Sequence, residues 1–303
     1  MLLILLNKMP LSEKSQTFIR HLEKHLERLG IKYSVSSFES TEFFIQSGKV
    51  RASIEKRPLE TWTTIYPRKV GHQRGAAHLL AHLSEASGTH FIDPFHKNTK
   101  DASDIAKIVQ MFKLATAGIR IPKTYFSPSY TESHIKNSIE YLHFPIVVKE
   151  SNTSQGSGVF LAKNEQSLKD ILRQRASLSG RKEIFLQEFI PNSFEYRLLI
   201  TGKIVAVAEK KVRSKSEEFR NNVHLGAKEE FIDTALLEES VKKTALLAAK
   251  VTDIDIAGVD IVMSSNNQPV VFEVNSCPEF TLNEETSNEI EKLSEYLALC
   301  EKR

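Results

Sequence analysis

The stretch GVDIVMSSNNQPVVFEVNSCP, residues 258–278, contains two apolar strand patterns separated by the dipeptide Asn266-Asn267. Asparagine tolerates the positive φ angles of tight hairpin turns, so this stretch predicts an antiparallel hairpin. If the two asparagines form the turn, counting outward puts Asp260 directly opposite Glu273. The sequence therefore predicts that two carboxylates face each other across neighbouring strands.

Two opposed carboxylates on one sheet face repel each other and destabilise a hairpin unless a cation lies between them. Asn275 lies two residues beyond Glu273, so its amide oxygen falls on the same face. Carboxylate and amide oxygens with room for phosphate and water are typical of a Mg²⁺ site. The competing interpretation is a pair of solvated carboxylates on an exposed face. The flanking apolar residues Val271, Phe272 and Val274 favour the metal site, with Asp260, Glu273 and Asn275 as ligands.

A second informative stretch is FPIVVKESNTSQGSGV, residues 144–159. Lys149 ends an apolar strand, where an unpaired ammonium is costly and an anionic partner is expected. Alternatively, the lysine extends to solvent at the strand end. The following loop contains Gly156 and Gly158, and glycine lets backbone N–H groups approach phosphate oxygens closely. This loop matches neither the Walker A nor the Rossmann pattern.

The whole-chain composition describes a globular protein with two or three domains: 303 residues, of which 41% are apolar and 26% charged. A net charge of +3 gives no reason to expect a nucleic-acid or membrane partner. The two cysteines suggest a reducing compartment, and we expect a cytoplasmic protein. The opening MLLILLNKMP reads as a first strand rather than a signal peptide.

The first 97 residues alternate strand and helix patterns, which predicts a small parallel α/β sheet. A helix is predicted from Ser103, with an apolar stripe on one face and Lys107 on the opposite face. That stripe consists of Ile105, Ile108, Val109, Phe112 and Ala115. From Phe144 onward, strands joined by tight turns predict an α+β arrangement with antiparallel sheets.

Together and in this order, these pieces resemble the ATP-grasp superfamily, and within it the RimK-like carboxylate–amine ligases that add glutamate to a protein carboxyl terminus. The similarity runs from about residue 98 to 280. Its blocks are FPIVVKES…QGSGV, LQEFI, EYRLLITGKIVAVAEKKV, FRNNVHLGA and GVDIV…VFEVNSCP. The resemblance implies two α+β lobes that clamp ATP, preceded by a small α/β domain. The implied domains are 1–97, 98–186 with the lid loop, and 187–303 with the Mg²⁺ site.

The resemblance also implies a role for each matching residue. The nucleotide phosphates would contact Lys107, Lys149 and the lid residues Ser154, Gln155, Gly156, Ser157 and Gly158. Adenine and ribose would contact Gln187, Glu188, Phe189, Ile190 and Glu195. Two Mg²⁺ ions, with Mn²⁺ as an alternative, would bind Asp260, Glu273 and Asn275. The catalytic residues would include Arg220 and Asn222. Alternate positions of a strand share a face, so one or two of Lys210, Lys211 and Arg213 are also expected at the site, and Lys211 is predicted to be catalytic.

The implied reaction is ADP-forming ligation of a carboxylate to an amine through an acyl phosphate, with ATP and the two substrates as partners. Close alternatives are a ligase that modifies or macrocyclises peptides and a dipeptide ligase. More distant alternatives are a phosphotransferase and a non-catalytic ATP-binding regulator. Cys277 is interpreted as a small packing residue rather than a nucleophile, since this chemistry needs none. Whether the chain forms homo-oligomers is left open.

One position departs from the family pattern. The glutamate ligases typically follow the metal motif with Pro-Gly, whereas this chain reads NSCPEF with Glu279 in place of the glycine. In relatives this loop lies near the acceptor. The extra negative charge therefore bears on the shape of the acceptor pocket and on the choice of glutamate as amine donor.

Overall fold

The computed structural model describes residues 1–46, 49–71, 73–98, 107–127, 130–150, 158–176, 183–213 and 228–302. The strands in this part of the chain are β1 (Leu2–Leu6), β2 (Tyr33–Ser37), β3 (Thr41–Gln46), β4 (Lys49–Ile54), β5 (Arg57–Pro58), β6 (Thr64–Pro67), β7 (His90–Phe91), β8 (Thr124–Phe126), β9 (Ile146–Glu150), β10 (Val159–Ala162), β11 (Ile184–Glu188), β12 (Phe194–Thr201), β13 (Ile204–Val212), β14 (Lys228–Ile232), β15 (Ile256–Met263) and β16 (Pro269–Asn275). The helices are α1 (Glu13–Arg28), α2 (Arg74–Ser87), α3 (Lys107–Thr116), α4 (Glu132–Leu142), α5 (Glu165–Ala176), α6 (Glu239–Val251) and α7 (Glu289–Glu301).

The first sheet is parallel, with strand order β2-β1-β6-β7. All five residues of β1 are buried, which explains its unbroken apolar run, because helices or loops cover both faces of such a sheet. Helix α1 begins after Ser12, whose side chain accepts a hydrogen bond from the Ser15 N–H. The predicted parallel α/β unit is confirmed.

A small antiparallel sheet, β3-β4-β5, follows β2 and was not predicted from the sequence. Its strands carry few buried side chains in the described part. Ala52 and Ile54 are buried, whereas Phe44 is exposed. A sheet with so little apolar alternation gives only a weak sequence signal.

The second sheet is antiparallel, with strand order β10-β9-β11-β8. Helices α4 and α5 cover it through an apolar core that includes Ile135, Leu168 and Leu172. Strand β11 spans Ile184–Glu188 inside this sheet, so the implied domain boundary between residues 186 and 187 falls within a strand.

The third sheet is antiparallel, with strand order β14-β13-β12-β15-β16. One face packs on α6. On the other face, Leu199 and Val207 join a core shared with β1, α1 and α7. Farther along the same face of β12 lie Arg197 and Glu195, so this face changes from apolar to charged along the strand. The predicted antiparallel, hairpin-rich half is confirmed, and its charged end forms the floor of a cleft.

Helix α3 lies within the implied central segment, 98–186, but packs on the third sheet. Its residues Met111 and Leu114 belong to the same core as α6, β15 and β16. The domain division implied by the family resemblance therefore does not follow the packing at this helix. No helix in the described ranges has both the length and the apolar composition of a membrane span.

Candidate active site

The β15–β16 hairpin closes differently from the simple count outward from its two asparagines. That count would pair Ser264 with Pro269, but the structure pairs Met263 with Pro269. The turn closes through a hydrogen bond of 2.9 Å from the Asn267 N–H to the Ser264 carbonyl, and Asn267 adopts a φ of 53°. This is a turn with a left-handed residue at its end, which adds one loop residue and shifts the register near the tip.

A β-bulge restores the predicted pairing deeper in the hairpin. Ile261 pairs with Val271, while Asp260 pairs with Glu273, so Phe272 is an extra residue on β16. The shift at the turn and the shift at the bulge cancel each other. The predicted opposition of Asp260 and Glu273 is therefore confirmed, although the predicted register at the turn is wrong.

Four charged residues form one row across the third sheet. Glu209 on β13 pairs with Arg197 on β12, Arg197 pairs with Asp260 on β15, and Asp260 pairs with Glu273 on β16. Directly opposed residues in an antiparallel sheet lie on the same face. The strand register therefore places the predicted metal ligands at one end of a row that also contains an arginine the sequence analysis did not select.

Asp260 is buried and held by Arg197 through two hydrogen bonds. Arg197 Nε donates to Oδ1 at 2.8 Å and Nη2 donates to Oδ2 at 2.9 Å, while the Asn275 amide donates to Oδ2 at 3.3 Å. Burial alone would raise the pKa of Asp260, but the Arg197 guanidinium outweighs burial and holds that pKa below its usual value. Asp260 is therefore an ionised carboxylate in a fixed orientation.

Glu273 is paired with Lys107, whose Nζ lies 3.1 Å from Oε1. The predicted face of α3 is wrong: Phe112, expected inside, is 70% exposed, and the buried face includes Gln110. Gln110 donates to the Val274 carbonyl at 2.8 Å and accepts from the Val274 N–H. These bonds to the backbone of β16 compensate burial of the amide and turn Lys107, one helical turn earlier, toward Glu273.

Lys149 reaches the site from the second sheet. Its Nζ lies 5.3 Å from the centre of the Phe272 ring, the bulged residue of the third sheet. The pKa of Lys149 is lowered to about 8, because burial and the charge of Lys107 together outweigh the carboxylates of Glu273, Glu195 and Asp260, which raise it. Lys149 therefore faces the carboxylates across the cleft between two sheets.

Glu195 and Lys211 are directly opposed on β12 and β13. The pKa of Glu195 is raised to about 8, because burial and the charge of Asp260 together outweigh Arg197 and Lys211, which lower it. Lys211 is buried, with its Nζ 3.6 Å from Glu209 Oε1. Its catalytic role stays a prediction, as does the ribose contact of Glu195.

The implied adenine segment follows β11. The Gln187 side chain is buried and donates to Thr124 Oγ1 at 2.9 Å. The Glu188 N–H donates to the Lys123 carbonyl, and the Ile190 carbonyl accepts from the Asn192 amide. Phe189, like Ile190, is half-buried. These contacts fix the segment beside the cleft, and its contact with adenine stays a prediction.

Several implied residues lie outside the described ranges. They are Ser154, Gln155, Gly156 and Ser157 of the loop, together with Arg220 and Asn222. Gly158, at the end of the loop, is buried in a turn directly before β10. The roles of all these residues remain predictions.

A close backbone approach holds the segment after the metal motif. Gly258 lies opposite Asn275, and a Cβ atom built on Gly258 would lie 2.9 Å from Pro278 Cβ. Only glycine fits there without displacing the proline.

The sequence analysis did not identify Gly258, Arg197 and Gln110, because a strand glycine, a strand arginine and a helix glutamine have no distinctive pattern. The cross-strand count applied to β12 would have found Arg197.

The residues fit a Mg²⁺ ion that arrives with a nucleotide. In the described ranges no three acidic, histidine or cysteine side chains form a ready-made metal cluster. Asp260 and Glu273 nevertheless lie side by side, with Asn275 hydrogen-bonded to Asp260. Asp260 Oδ1 accepts a hydrogen bond from Arg197 Nε, and a carboxylate oxygen can accept two, so this oxygen has capacity for a metal ion. Mg²⁺ commonly binds one or two carboxylates plus phosphate and water, so this donor set suffices.

Comparison with known proteins agrees with this geometry. The RimK-like ATP-grasp domain family matches residues 102–296. A probable alpha-L-glutamate ligase of Stutzerimonas stutzeri is 29% identical over 80% of this chain and 78% of its own length. Another, of Pseudomonas fluorescens, is 30% identical over 77% of this chain and 75% of its own length.

The solved structure of the ATP-grasp ligase PsnB with its minimal precursor superposes with a TM-score of 0.70 at 16% identity, covering 100% of this chain and 99% of PsnB. PsnB has also been solved with Mg and ADP, at a TM-score of 0.69 and 16% identity, covering 99% of this chain and 98% of PsnB. These similarities show the ATP-grasp ligase fold and confirm the resemblance inferred from the sequence. The chain therefore belongs to the RimK-like ATP-grasp family of ligases.

Proposed function

We propose that this protein is an ADP-forming carboxylate–amine ligase that works through an acyl phosphate. The observation that carries the proposal is the convergence of charges from different elements at one end of the third sheet. Asp260 and Glu273 are opposed on neighbouring strands, Lys107 comes from α3, and Lys149 comes from the second sheet. Such a set of oxygens and cations suits a metal-bound triphosphate.

The chemistry explains why a nucleotide is needed. A carboxylate at neutral pH is a poor electrophile, so an amine cannot displace oxygen from it directly. In the proposed reaction a carboxylate oxygen attacks the γ-phosphorus of ATP, and ADP leaves. The amine nitrogen then attacks the acyl carbon, phosphate leaves with the C–O bonding electrons, and the nitrogen loses a proton to form the amide.

Phosphoryl transfer needs alignment and neutralisation of charge more than covalent help from the protein. Lys107 and Lys149 would hold phosphate oxygens from the two sides of the cleft. Arg197 would keep Asp260 ionised and correctly oriented. Asp260, Glu273 and Asn275 would hold one or two Mg²⁺ ions, which supply neutralisation of the phosphate oxygens. Arg220 and Asn222 would face the transferred group, as the family resemblance implies.

The two relatives described above support an amino acid as the amine. They are named probable alpha-L-glutamate ligases, so we infer addition of an amino acid such as glutamate to a protein, a peptide or a small acid. A second candidate is modification of a peptide, including macrocyclisation. It is supported by the full-length superposition on PsnB, which was solved with a precursor peptide.

The test is ADP release with MgATP and a panel of amino acids, peptides and protein tails, each with hydroxylamine present. Hydroxylamine replaces the unknown amine and converts an acyl phosphate into a hydroxamate. Carboxylate-dependent ADP release with a hydroxamate of matching mass would support the ligase. Carboxylate-dependent ADP release that yields a stable phosphorylated product and no hydroxamate would instead indicate a phosphotransferase.

A further inference from the structure

A cavity of about 380 Å³ lies beside the cleft, at the carboxyl ends of β1 and β6. Asn7 lines it just beyond β1, and Arg68 and Lys69 line it just beyond β6. The opposite wall is formed by residues 276–277, which directly follow Asn275. The carboxyl ends of parallel strands are the usual ligand-binding edge of an α/β sheet. The cavity therefore joins the candidate metal site to the first sheet.

The lining of this cavity is cationic. Arg68, Lys69 and Arg74 contribute to it, and no aspartate or glutamate lines it within the described part of the chain. Arg74 is also the first residue of α2, whose start has no side-chain cap. The N–H groups of an uncapped helix start add partial positive charge. The cavity thus offers positive charge from side chains and from a helix end.

Arg68 is built into the wall rather than extended over the surface. Arg68 is only 6% exposed. Its guanidinium carbon lies 4.8 Å from the centre of the Phe18 ring and 4.9 Å from the centre of the Phe280 ring. The two rings are stacked 5.4 Å apart. Contacts of this kind fix the plane of the guanidinium. Arg68 therefore offers its donors in one orientation.

In the part of the chain that the structure describes, Arg68 and Lys69 donate hydrogen bonds to neutral groups. Arg68 donates to Cys277 Sγ at 2.7 Å and to the Pro278 carbonyl at 2.8 Å, and its Nε has no partner in the described structure. Lys69 donates to Ser15 Oγ at 3.2 Å. Neither side chain forms an ion pair with any residue of the described ranges. Burial disfavours the charge of Arg68, and the Cys277, Tyr66 and Glu279 groups nearby raise its pKa and offset that cost. No carboxylate lines the cavity in the described ranges, so a ligand that brings an anion into it gains affinity.

We propose that this cavity binds a carboxylate of the substrate other than the one that is phosphorylated, and that Arg68 and Lys69 select for it. The inference rests on the proposed function and adds a substrate class to it, namely a molecule with at least two carboxylates. Glu279 does not line the cavity, is exposed and pairs with Lys14 at 3.1 Å, although its charge acts on Arg68 and helps to raise the pKa of that guanidinium.

Binding in the cavity can be measured without enzyme turnover, through the reactivity of a cysteine that lines it. Cys277 is exposed and lines the cavity, whereas the other cysteine, Cys300, is buried. The experiment measures the rate at which iodoacetamide alkylates Cys277 in the full chain. Glutarate is compared at equal ionic strength with glutaramate, in which an uncharged amide replaces one of the two carboxylates. Glutarate should protect Cys277, and glutaramate should bind about tenfold more weakly, because it lacks one hydrogen-bonded charge.

Variants link this protection to the proposed residues. Lys69→Met and, separately, Arg68→Lys should each weaken protection by glutarate about tenfold and leave the weak effect of glutaramate unchanged. The matched control is Lys8→Met, which removes an exposed lysine one residue beyond Asn7 and outside the lining. It should behave as wild type. If Arg68→Lys fails to fold, Lys69→Met decides the matter alone.

Three results would overturn the inference: equal protection by glutarate and glutaramate, no protection by either at tens of millimolar, or stronger protection by inorganic phosphate than by glutarate. The hydroxamate assay separates this inference from the proposed function. Hydroxamates formed equally well from a dicarboxylate and its monoamide would refute the selection and leave the ligase intact. Protection by glutarate without a hydroxamate from any acid would leave the cavity assignment intact and refute the ligase.

Discussion

The cleft and the cavity differ in whether their charged side chains have partners of opposite charge. In the cleft, Asp260 has Arg197 beside it and Glu273 has Lys107. In the cavity, the hydrogen-bond partners of Arg68 and Lys69 within the described structure are neutral groups. A site whose charges already balance suits a metal–nucleotide complex, which brings charges of both signs. A site with excess positive charge suits a simple anion. The comparison suggests that charge balance before binding separates the nucleotide site from the substrate site.

The largest expected effect comes from breaking the balance of the cleft at Asp260. Asp260→Asn should lower carboxylate-dependent ADP release by at least about 10³-fold, because the variant loses a metal ligand. It should also cost about 3 kcal/mol of unfolding free energy, since Arg197 would lose the carboxylate to which its guanidinium is hydrogen-bonded and keep only the more distant charges of Glu195 and Glu209. ADP release and urea unfolding measure the two effects.

The matched control for Asp260→Asn is Asp170→Asn, an exposed aspartate on α5 of the other lobe. Adding Arg197→Met to Asp260→Asn should restore stability without restoring activity. If Asp260→Asn alone keeps wild-type ADP release, the metal assignment is wrong.

The second-largest expected effect concerns the contribution of Lys149 to ATP affinity. Lys149→Ala should raise the Kd for ATP about 10- to 100-fold, because one charge-assisted contact to phosphate is lost. Lys163→Ala, an exposed lysine of the same lobe, serves as the control. The pKa of Lys149 is lowered to about 8, so wild-type affinity should fall between pH 7 and 9 as the ammonium loses its proton. Calorimetry of ATP binding would show an unchanged Kd if Lys149 does not contact the nucleotide.

A third test concerns Asp93, just before the residues Phe95 and His96 that line the cavity. Its Oδ1 accepts from the N–H groups of Asp255 and Ile256, and burial raises its pKa to about 8. A folded pKa above the unfolded value means that stability is complete below about pH 4 and declines as pH rises toward 8.

Asp93→Asn keeps the carbonyl acceptor and tolerates the φ of 64° at this position. The variant should gain stability over wild type as pH rises from 5 to 8, by roughly 1 kcal/mol for each pH unit. Thermal unfolding across that range measures the gain. A difference between variant and wild type that is constant with pH would show that Asp93 does not titrate in this way.

A smaller effect is expected at the wall between cleft and cavity. Gly258→Ala would place a methyl group 2.9 Å from Pro278 Cβ, so the segment that includes Asn275 must shift. We expect the KM for MgATP to rise about tenfold, a change worth roughly 1.4 kcal/mol. Gly75→Ala on α2 meets nothing within 4 Å and should stabilise the protein by about 0.5–1 kcal/mol. A Gly258→Ala enzyme with unchanged KM would show that the wall does not fix Asn275.

The smallest effect is expected at Glu279, where the chain departs from the family pattern. Glu279→Gln should change unfolding free energy by less than about 0.5 kcal/mol, since its pair with Lys14 is exposed. Protection of Cys277 by glutarate should stay within twofold of wild type. A marked gain in protection would mean that the Glu279 charge reaches the cavity, and the contrast between cavity and cleft would be weaker than described.

The sequence predicted most of what periodicity and pairing can show. The parallel first sheet, the antiparallel sheets and the opposition of Asp260 and Glu273 follow from local patterns, and the structure confirms them. The register at the hairpin tip was wrong, because neither the left-handed Asn267 nor the bulge at Phe272 has a distinctive sequence pattern. The two deviations happen to cancel at the carboxylates.

The remainder depended on contacts between distant parts of the chain. Helix α3 was assigned the wrong buried face because Gln110 is polar, and only β16 provides the backbone bonds that make its burial favourable. Arg68 follows a short strand and looks like an ordinary surface arginine. Its guanidinium lies beside the stacked rings of Phe18 and Phe280, and Phe280 is more than 200 residues away in the sequence. Periodicity within one segment cannot reveal such partners.

The bonds between Gln110 and β16 have a mechanical consequence. They fasten α3, and Lys107 with it, to the sheet that holds Asp260 and Glu273. Lys149 belongs to the second sheet, so the two lysines that we propose as phosphate ligands lie on separate sheets. Rotation of the second sheet would change the separation of Lys149 from Phe272 while that of Lys107 from Glu273 stayed constant. In such a rotation Lys107 would stay fixed relative to Asp260 and Glu273, and Lys149 would move toward or away from them with the second sheet.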